Sequence, residues 1–188
     1  GYVDGDIGQP ETGPPTTITA VMASEQSYML ERLRASSMYF VGHTSPAHCQ
    51  ERVVDSIERC ARDLEGRGAE LVVVNTDGWI DEGGLRHKAA LVERLRADAI
   101  VSLLSPSEEL TLSGEMAEPR GIVRISRPDY VKERSQDERR ENRELGYRRY
   151  FRGAMRRRIG IDGVRLVNSP LRLSGRTERA ELDRLSAE

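Results

Sequence analysis

The fold class is decided by the stretch Ala69-Glu-Leu-Val-Val-Val-Asn-Thr76, a nearly continuous run of apolar residues. Such a strand is typical of a parallel sheet that is buried on both faces because helices cover each side. A segment with helical character follows over Leu85–Arg96, and a second apolar strand covers 98–104. A strand, a helix and a strand at this spacing predict an α/β protein.

Further elements on both sides continue this pattern. A short apolar strand over 37–42 precedes a helix from Ala47 to Glu65, which Gly66 and Gly68 end. The remaining signals predict strands near 16–21, 121–126 and 164–167, a helical stretch near 28–33 and a helical turn near 105–110. Since helices that join parallel strands make right-handed crossovers, we expect a parallel β-sheet flanked by helices.

The composition is that of one globular domain. Its 188 residues can bury a sizeable core, and 37% of them are hydrophobic and 32% charged. No apolar run approaches the length of a membrane span and no signal peptide is evident, so we expect a cytoplasmic protein with no membrane partner. Cys49 and Cys60 fall in a predicted helix and are expected to act as small apolar residues. Three scattered histidines argue against a structural zinc site.

Basic residues concentrate towards the carboxyl end. Between Lys132 and Arg158 there are eleven basic and five acidic side chains, although the whole chain has a net charge of −2. A compact arginine patch of this kind can hold a polyphosphate. We expect 135–158 to be a charged helix, with Gly146 as its weak point. An apolar stripe of Tyr147, Phe151 and Met155 would dock it, and Arg148, Arg152 and Arg156 would form a row on a neighbouring face.

The amino-terminal motif is Asp4-x-Asp6-x-Gly8-Gln9, which follows residues typical of a strand. Residues two apart on an extended strand face the same way, so both carboxylates can address one site. Phosphoryl transfer uses one carboxylate near magnesium and another near the attacking oxygen. The pattern fits a solvated turn at a strand end equally well, and the residues alone leave both interpretations open.

Two loops carry a second set of candidates. The loop Gly42-His-Thr-Ser-Pro46 offers hydroxyls and free amides before a helix, which suit a phosphate but also an ordinary helix cap. The motif Thr76-x-Gly78-Trp79 follows a predicted strand and contains the only tryptophan. A tryptophan on such a loop can stack on a nucleobase, or it can anchor the core.

A pair of arginines forms the last motif. Arg139 and Arg143 are four residues apart, so they share one face of the predicted helix. Two guanidinium groups in this arrangement can bracket a transferring phosphoryl group. A solvated charged face is the alternative.

Taken together and in this order, the motifs resemble those of the P-loop polynucleotide 5′-hydroxyl kinases. That family includes the RNA kinase of the pre-mRNA cleavage complex and relatives in pre-ribosomal RNA processing. The resemblance covers Gly1 to about Gly153. The matching elements are a Walker B sequence, Asp4-Gly-Asp-Ile-Gly-Gln9; a phosphate-contacting loop, His43-Thr-Ser-Pro46; a clasp, Val74-Asn-Thr-Asp-Gly-Trp79; and an arginine-bearing lid, Ser135-Gln-Asp-Glu-Arg-Arg-Glu-Asn-Arg143 followed by Tyr150-Phe-x-Gly153. It implies a P-loop NTPase domain over 1–160, with a lid helix at about 135–158, and a short tail over 161–188.

The resemblance also implies an activity and residue roles. The activity is ATP-dependent transfer of the γ-phosphate to the 5′-OH end of single-stranded RNA, or of DNA; it names no protein partner. Asp6 would orient and deprotonate the 5′-hydroxyl, and Asp4 would support Mg²⁺ through water. Arg139 and Arg143, assisted by Arg140, would close over the γ-phosphate. Contacts to the terminal nucleotide and its phosphate are assigned to Gln9, Thr44 and Ser45, and those that clasp and stack it to Thr76, Gly78 and Trp79.

One family element has no counterpart in this sequence. The glycine-rich Walker A loop, G-x-x-x-x-G-K-[S/T], is absent, and neither Lys88 nor Lys132 has the surroundings of its lysine. We therefore expect an amino-terminally incomplete domain from a longer kinase, which alone binds ATP poorly and is inactive. Two other functions stay open: a non-catalytic nucleotide-binding scaffold, and a GTPase-like P-loop protein, whose guanine-selecting N/T-K-x-D element is not found here.

Overall fold

The computed structural model describes residues 1–23, 29–104, 121–126, 128, 131 and 134–158. The chain divides into two compact units, Gly1–Arg152 and Gly153–Glu188, and the described part of the second, 153–158, has no regular helix or strand. The elements of the first unit, in chain order, are β1 (Tyr2–Asp4), β2 (Thr17–Val21), β3 (Ser37–Phe40), α1 (Gln50–Gly66), β4 (Val73–Asn75), α2 (Glu82–Leu95), β5 (Ile100–Leu104), β6 (Ile122–Ser126) and α3 (Gln136–Tyr150).

Strands β1 to β4 form a mixed sheet in the order β3-β2-β1-β4. Strand β1 is parallel to β4, with Asp4 opposite Asn75, whereas β2 is antiparallel to both β1 and β3. The α/β class is confirmed, but the expectation of a wholly parallel sheet is wrong. The loop over 5–16 contains no helix that could form a crossover, and it returns the chain directly into β2 beside β1.

The core lies between this sheet and α1. The apolar residues of α1 recur every three or four positions, and Val53, Ile57, Cys60 and Leu64 are buried against the sheet. Every residue of β2 is buried, because β1 and β3 flank this strand and α1 packs on it. Helix α2 packs on α1 and adds Leu91 to the core. This packing fixes the position at which β1 ends.

Helix α1 begins later than the sequence predicts. Residues Pro46–His48 form a 3₁₀ turn and the α-helix starts at Gln50, so Cys49 lies before it and is half-buried. The thiol of Cys60 is fully buried in the helix, as predicted for a small apolar residue. Burial raises the pKa of Cys60 to about 11, which keeps the thiol protonated near neutral pH.

Strands β4 and β5 are more exposed than the sequence predicts. Strand β4 keeps only three residues, and Val73 in it is 51% exposed. Strands β5 and β6 form a separate parallel pair in which Val101 lies opposite Val123, and these side chains are 59% and 50% exposed. The expectation of strands buried on both faces is wrong, because each strand buries one face only: Val74 and Ser102 point inwards, whereas their neighbours Val73 and Val101 point to the exposed face.

Helix α3 runs through Gly146 without a break and ends at Tyr150, so the predicted extension to 158 is wrong. Several residues of the expected stripe and arginine row lie beyond its end, namely Phe151, Arg152, Met155 and Arg156. Phe151 is 58% exposed, so within the first unit only Tyr147 of the expected stripe is half-buried.

The remaining predicted elements lie near 28–33, 105–110 and 164–167. In the predicted helical stretch near 28–33, the structure has a 3₁₀ turn over Leu30–Arg32. The turn near 105–110, the strand near 164–167 and the tail over 161–188 lie outside the described residues. Among the helices that the structure describes, none is both long and apolar enough to cross a membrane.

Candidate active site

Asp4, the last residue of β1, is fully buried and holds the following loop in place. Its Oδ2 atom accepts hydrogen bonds from the backbone amides of Glu11 (2.6 Å) and Thr12 (3.0 Å) and from the Thr12 hydroxyl (3.2 Å). Its Oδ1 atom lies 3.4 Å from the donor Nδ2 of Asn75 on β4. Three donors on one oxygen satisfy a buried carboxylate and tie residues 11–12 to the strand end.

Asp6 lies just beyond the strand in a tight turn. Its Oδ1 atom accepts the backbone amides of Gly8 and Gln9, both at 2.9 Å, whereas Oδ2 accepts no hydrogen bond from the described residues. Burial raises the pKa of Asp6, with a smaller contribution from the charges of Asp77 and Asp4, although the two amides oppose it. One oxygen is therefore fixed, and the other is available to accept a proton.

The loop over 43–46 packs directly against this turn. A Cβ atom on Gly8 would lie 2.9 Å from the carbonyl oxygen of Thr44, so only glycine allows the approach. The side chain of Thr44 is exposed and that of Ser45 is half-buried. The Ser45 amide donates to Nδ1 of His43 at 3.3 Å. Both hydroxyl residues that the sequence analysis selected thus lie next to the Asp6 turn.

Strand β4 brings the tryptophan loop to the other side of the turn. The amide of Gly5 donates to the carbonyl of Asn75 at 2.9 Å, and a Cβ on Gly5 would lie 2.5 Å from that oxygen. This close approach places Asp6 beside the segment Thr76–Trp79. In that segment Thr76 and Trp79 are half-buried and Gly78 is exposed.

Trp79 rests on the start of α2. A Cβ on Gly83 would lie 2.8 Å from the indole, and one on Gly84 would lie 2.2 Å from the Trp79 carbonyl oxygen, so glycine is required at both positions. The ring centroid of His87 is 6.1 Å from that of Trp79. The side chain of Asp81 caps α2 by accepting the Gly84 amide at 3.0 Å.

Lys88 contacts the same loop, and the sequence analysis did not select it. Its ammonium group donates to the carbonyl (2.7 Å) and Oδ1 (3.2 Å) of Asp77 and to the hydroxyl of Thr76 (3.4 Å). The sequence carries a signal for this contact, because an α-helical side chain leans towards the amino terminus and Lys88 lies less than two turns into α2, which follows the loop.

Helix α3 reaches the turn through Gln9. The side-chain amide of Gln9 donates through Nε2 to the backbone carbonyl of Arg139 at 2.9 Å, and the side-chain amide of Asn142 donates to Gln9 Oε1 at 3.5 Å. Arg139 is exposed, Arg143 is half-buried, and neither makes an ion pair with a described residue. Arg140 differs, since Glu144 pairs with it at 3.4 Å.

Two further contacts hold α3 on the loop that follows the turn. A Cβ on Gly146 would lie 3.2 Å from Pro15, and the Tyr147 hydroxyl is 3.4 Å from that of Thr16. A capping box starts the helix, in which Ser135 and Glu138 exchange hydrogen bonds at 2.7 and 3.2 Å. The arginine-bearing helix is thus preformed and attached to the site by its inner face.

Within the described residues there is no group of three or more His, Cys, Asp or Glu side chains that could hold a metal. Asp4 and Asp6 nevertheless fit a magnesium ion that arrives with a nucleotide. Magnesium in such sites keeps several waters and needs only one or two carboxylates besides the phosphates. The Oδ1 of Asp4 is the oxygen left for this purpose, since its one hydrogen bond from a described residue, Asn75, is long at 3.4 Å and the open Oδ2 of Asp6 is the proton acceptor.

The fold and site define a class of protein. Strands β1 and β4 are parallel with their carboxyl ends side by side, α1 covers the sheet, and the candidate site lies at the edge where open α/β sheets bind ligands. The sequence model of the family "mRNA cleavage and polyadenylation factor CLP1 P-loop" matches residues 1–153. The chain belongs to this family.

Curated relatives agree with this assignment. The polyribonucleotide 5′-hydroxyl-kinase of Pyrococcus horikoshii is 30% identical over 149 residues, which cover 79% of this chain and 40% of that protein. The corresponding protein of Pyrococcus abyssi is 27% identical over 97% of this chain and 52% of its own length. A CLP1 homolog of Culex quinquefasciatus is 26% identical over 81% of this chain. The chain spans about half the length of these kinases.

A solved structure agrees on the fold. Clp1p in the wild-type Clp1p–Pcf11p (454–563) complex superimposes with a TM-score of 0.59 at 17% identity. The match covers 82% of this chain and 42% of that one. The P-loop fold predicted from the sequence is confirmed.

Proposed function

We propose that this chain is part of an ATP-dependent polynucleotide 5′-hydroxyl kinase that phosphorylates the 5′-OH end of RNA. The Asp6 carboxylate carries the proposal. One of its oxygens is held by two backbone amides, the other is open, and three candidate segments meet around its turn. The names of the archaeal relatives support the same reaction.

In this proposal Asp6 is the general base. As the 5′-hydroxyl oxygen forms its bond to the γ-phosphorus of ATP, its proton passes to Asp6, and ADP leaves with the electron pair of the broken P–O bond. The raised pKa of Asp6 makes its carboxylate a better proton acceptor than an exposed aspartate.

Arg139 and Arg143 would stabilise the transferring phosphoryl group. They lie one turn apart on α3, and the contact from Gln9 keeps the backbone of Arg139 beside the Asp6 turn. Guanidinium groups without a carboxylate partner can donate to the equatorial oxygens of the phosphoryl group as charge develops there. Arg140, which Glu144 partly neutralises, would assist from the neighbouring face.

Asp6 and the arginines of α3 do not by themselves hold the nucleotide and the magnesium ion. Asp4 would hold magnesium through water, and the bound ion would neutralise charge between the β- and γ-phosphates. Lys88 cannot serve as the phosphate-binding lysine, since its three N–H groups already have acceptors. We therefore propose the transfer reaction for the full-length protein, because the chain contains no Walker A sequence and spans about half of its relatives.

The RNA end would lie between the two loops beside Asp6. Thr44 and Ser45 would donate to the phosphate that follows the terminal nucleotide, and Gln9 would bridge the nucleotide to the lid. Trp79, with Thr76 and Gly78, would stack and clasp the terminal base, and a stack of this kind contributes about 1–3 kcal/mol. RNA is favoured over DNA by the relatives' names alone.

The experiment uses full-length protein, γ-labelled ATP and two oligoribonucleotides of the same sequence, one with a 5′-OH end and one with a 5′-phosphate. We expect label to enter the 5′-OH oligonucleotide only and to be lost without magnesium. An oligodeoxynucleotide measures the preference between RNA and DNA. Nucleotide binding without transfer to any 5′-OH end would overturn the kinase proposal and favour a nucleotide-binding scaffold.

A further inference from the structure

The ammonium group of Lys88 connects α2 to the loop that carries Trp79. Its three N–H groups have three acceptors, the carbonyl and Oδ1 of Asp77 and the hydroxyl of Thr76, at 2.7, 3.2 and 3.4 Å. The Lys88 side chain is 19% exposed and that of Asp77 is 11% exposed. The pair is thus largely withdrawn from water, which separates it from the exposed ion pairs on the same helix.

Asp77 passes this restraint on to the tryptophan. Its Oδ1 atom accepts the backbone amide of Trp79 at 2.7 Å, in addition to the Lys88 ammonium. The backbone before and after Gly78 is therefore held through one carboxylate. Without Lys88 the Asp77 carboxylate would be a partly buried, unneutralised charge, and rotation towards water would break its bond to the Trp79 amide.

Helix α2 does not need this ammonium group for its own stability. Asp81 caps its first turn, and Leu91 packs in the core. Every hydrogen bond of the Lys88 ammonium goes to the loop and none to α2. The contact therefore fixes the loop rather than the helix.

We propose that Lys88 is a positioning residue, which through Asp77 holds the Thr76–Trp79 loop in the conformation that receives the 5′-terminal nucleotide. The inference rests on the proposed function and adds a residue to it. Preorganisation is its physical basis: a loop that is already ordered loses less conformational entropy when the nucleotide stacks. Lys88 itself does not touch the nucleotide.

The test uses Trp79 as the probe, because it is the only tryptophan in the chain. Lys88→Met keeps the aliphatic stem and removes the charge. We expect acrylamide to quench Trp79 more strongly in this variant. In the full-length protein we expect the KM for a 5′-OH oligoribonucleotide to rise about tenfold, with the KM for ATP within about twofold of wild type.

The matched control is Arg86→Met. Arg86 is a cation on the same helix, but its partner Glu82 is 82% exposed and neither residue contacts the loop. This variant should match wild type in quenching and in both KM values. Asp77→Asn removes the charge of the other partner in this ion pair. Adding Lys88→Met to Asp77→Asn should change the quenching and the oligoribonucleotide KM little further, since both variants break the same connection. If Lys88→Met does not fold, the quenching and the oligoribonucleotide KM of Asp77→Asn test the positioning role.

Failure of the positioning role and failure of the proposed kinase function give different results. Unchanged acrylamide quenching and an unchanged KM for the oligoribonucleotide in Lys88→Met, or fully additive effects with Asp77→Asn, would overturn the positioning role. If the wild-type protein transfers no phosphate, the proposed function fails, while acrylamide quenching still reports whether Lys88 orders the loop. A lower kcat with an unchanged oligoribonucleotide KM would also contradict the inference.

Discussion

The carboxylate of Asp4 accepts three hydrogen bonds from residues 11–12, whereas that of Asp6 accepts two from its own turn and keeps one oxygen open. The sequence places both aspartates on one strand with the same direction. The strand ends at Asp4, however, and Asp6 lies in the turn beyond it. Alternation along the chain could identify the pair, but it could not show that Asp4 also holds the following loop in place.

Asp4→Ala should destabilise the protein. The fully buried carboxylate is the common acceptor of three donors on Glu11 and Thr12, and the loss of hydrogen bonds at such a site costs about 1–3 kcal/mol. Urea unfolding followed by circular dichroism measures the change. The matched variant Asp6→Ala should cost less, because Asp6 is only half-buried and accepts two hydrogen bonds from described residues, whereas Asp4 is fully buried and accepts four. Equal losses of stability in the two variants would contradict this division of roles.

His87 should make stability depend on pH. Its side chain is 3% exposed, its Nδ1 atom has no hydrogen-bond partner among the described residues, and burial lowers its pKa below 6.5. As the pH falls below about 6.5, the unfolded chain takes up a proton at His87 that the folded protein resists, so the free energy of unfolding decreases towards the folded-state pKa. Above that range the contribution is constant.

The comparison variant is His87→Gln, which cannot titrate. Urea unfolding of both proteins at several pH values between 7.5 and 5 should show a steeper loss of stability in wild type. Parallel pH profiles would mean that the folded protein protonates His87 without cost, contrary to its burial.

At the scale of elements, helix α3 was predicted from its charge and its period, but of its attachment only the contact of Tyr147 was predicted. Its capping box is legible in the sequence as Ser135 and Glu138. The predicted apolar stripe continued past Tyr150 because the periodic pattern does so, although the helix stops there. The actual contacts use Gly146 and a tyrosine hydroxyl, and a glycine facing a proline leaves no hydrophobic signal.

The attachment of α3 predicts a low local stability. No described residue of α3 is buried, whereas α1 buries seven residues. Backbone amides of α3 should therefore exchange with solvent much faster than those of α1 in hydrogen–deuterium exchange read by mass spectrometry. An oligoribonucleotide together with a nucleotide should slow exchange in α3 of the full-length protein. Protection of α3 equal to that of α1 would contradict a lid that can open.

The strands β4 and β5 show what an apolar run can and cannot predict. Both were located correctly from β-branched residues, yet Val73 and Val101 are more than half exposed. Composition indicates that a segment is suited to burial, but it does not say which element covers it. The separation of β5–β6 from the four-stranded sheet could not be predicted for the same reason.

At the scale of the whole molecule, segments far apart in the chain meet around residues 4–9. The loop over 43–46 reaches Gly8, strand β4 reaches Gly5, and α3 reaches Gln9. The family resemblance could select these segments because their motifs are local. It could not select Lys88, since that residue acts only through its contact with the loop before α2.

The central claim is that Asp6 accepts the proton of a 5′-hydroxyl during phosphoryl transfer. The most direct measurement compares label transfer from ATP to a 5′-OH oligoribonucleotide by full-length wild type, Asp6→Asn and the surface control Asp55→Asn, with nucleotide affinity measured in parallel. We predict that Asp6→Asn loses about 100-fold or more of the rate while it binds nucleotide normally, and that Asp55→Asn matches wild type. Transfer by Asp6→Asn at the wild-type rate would contradict the account.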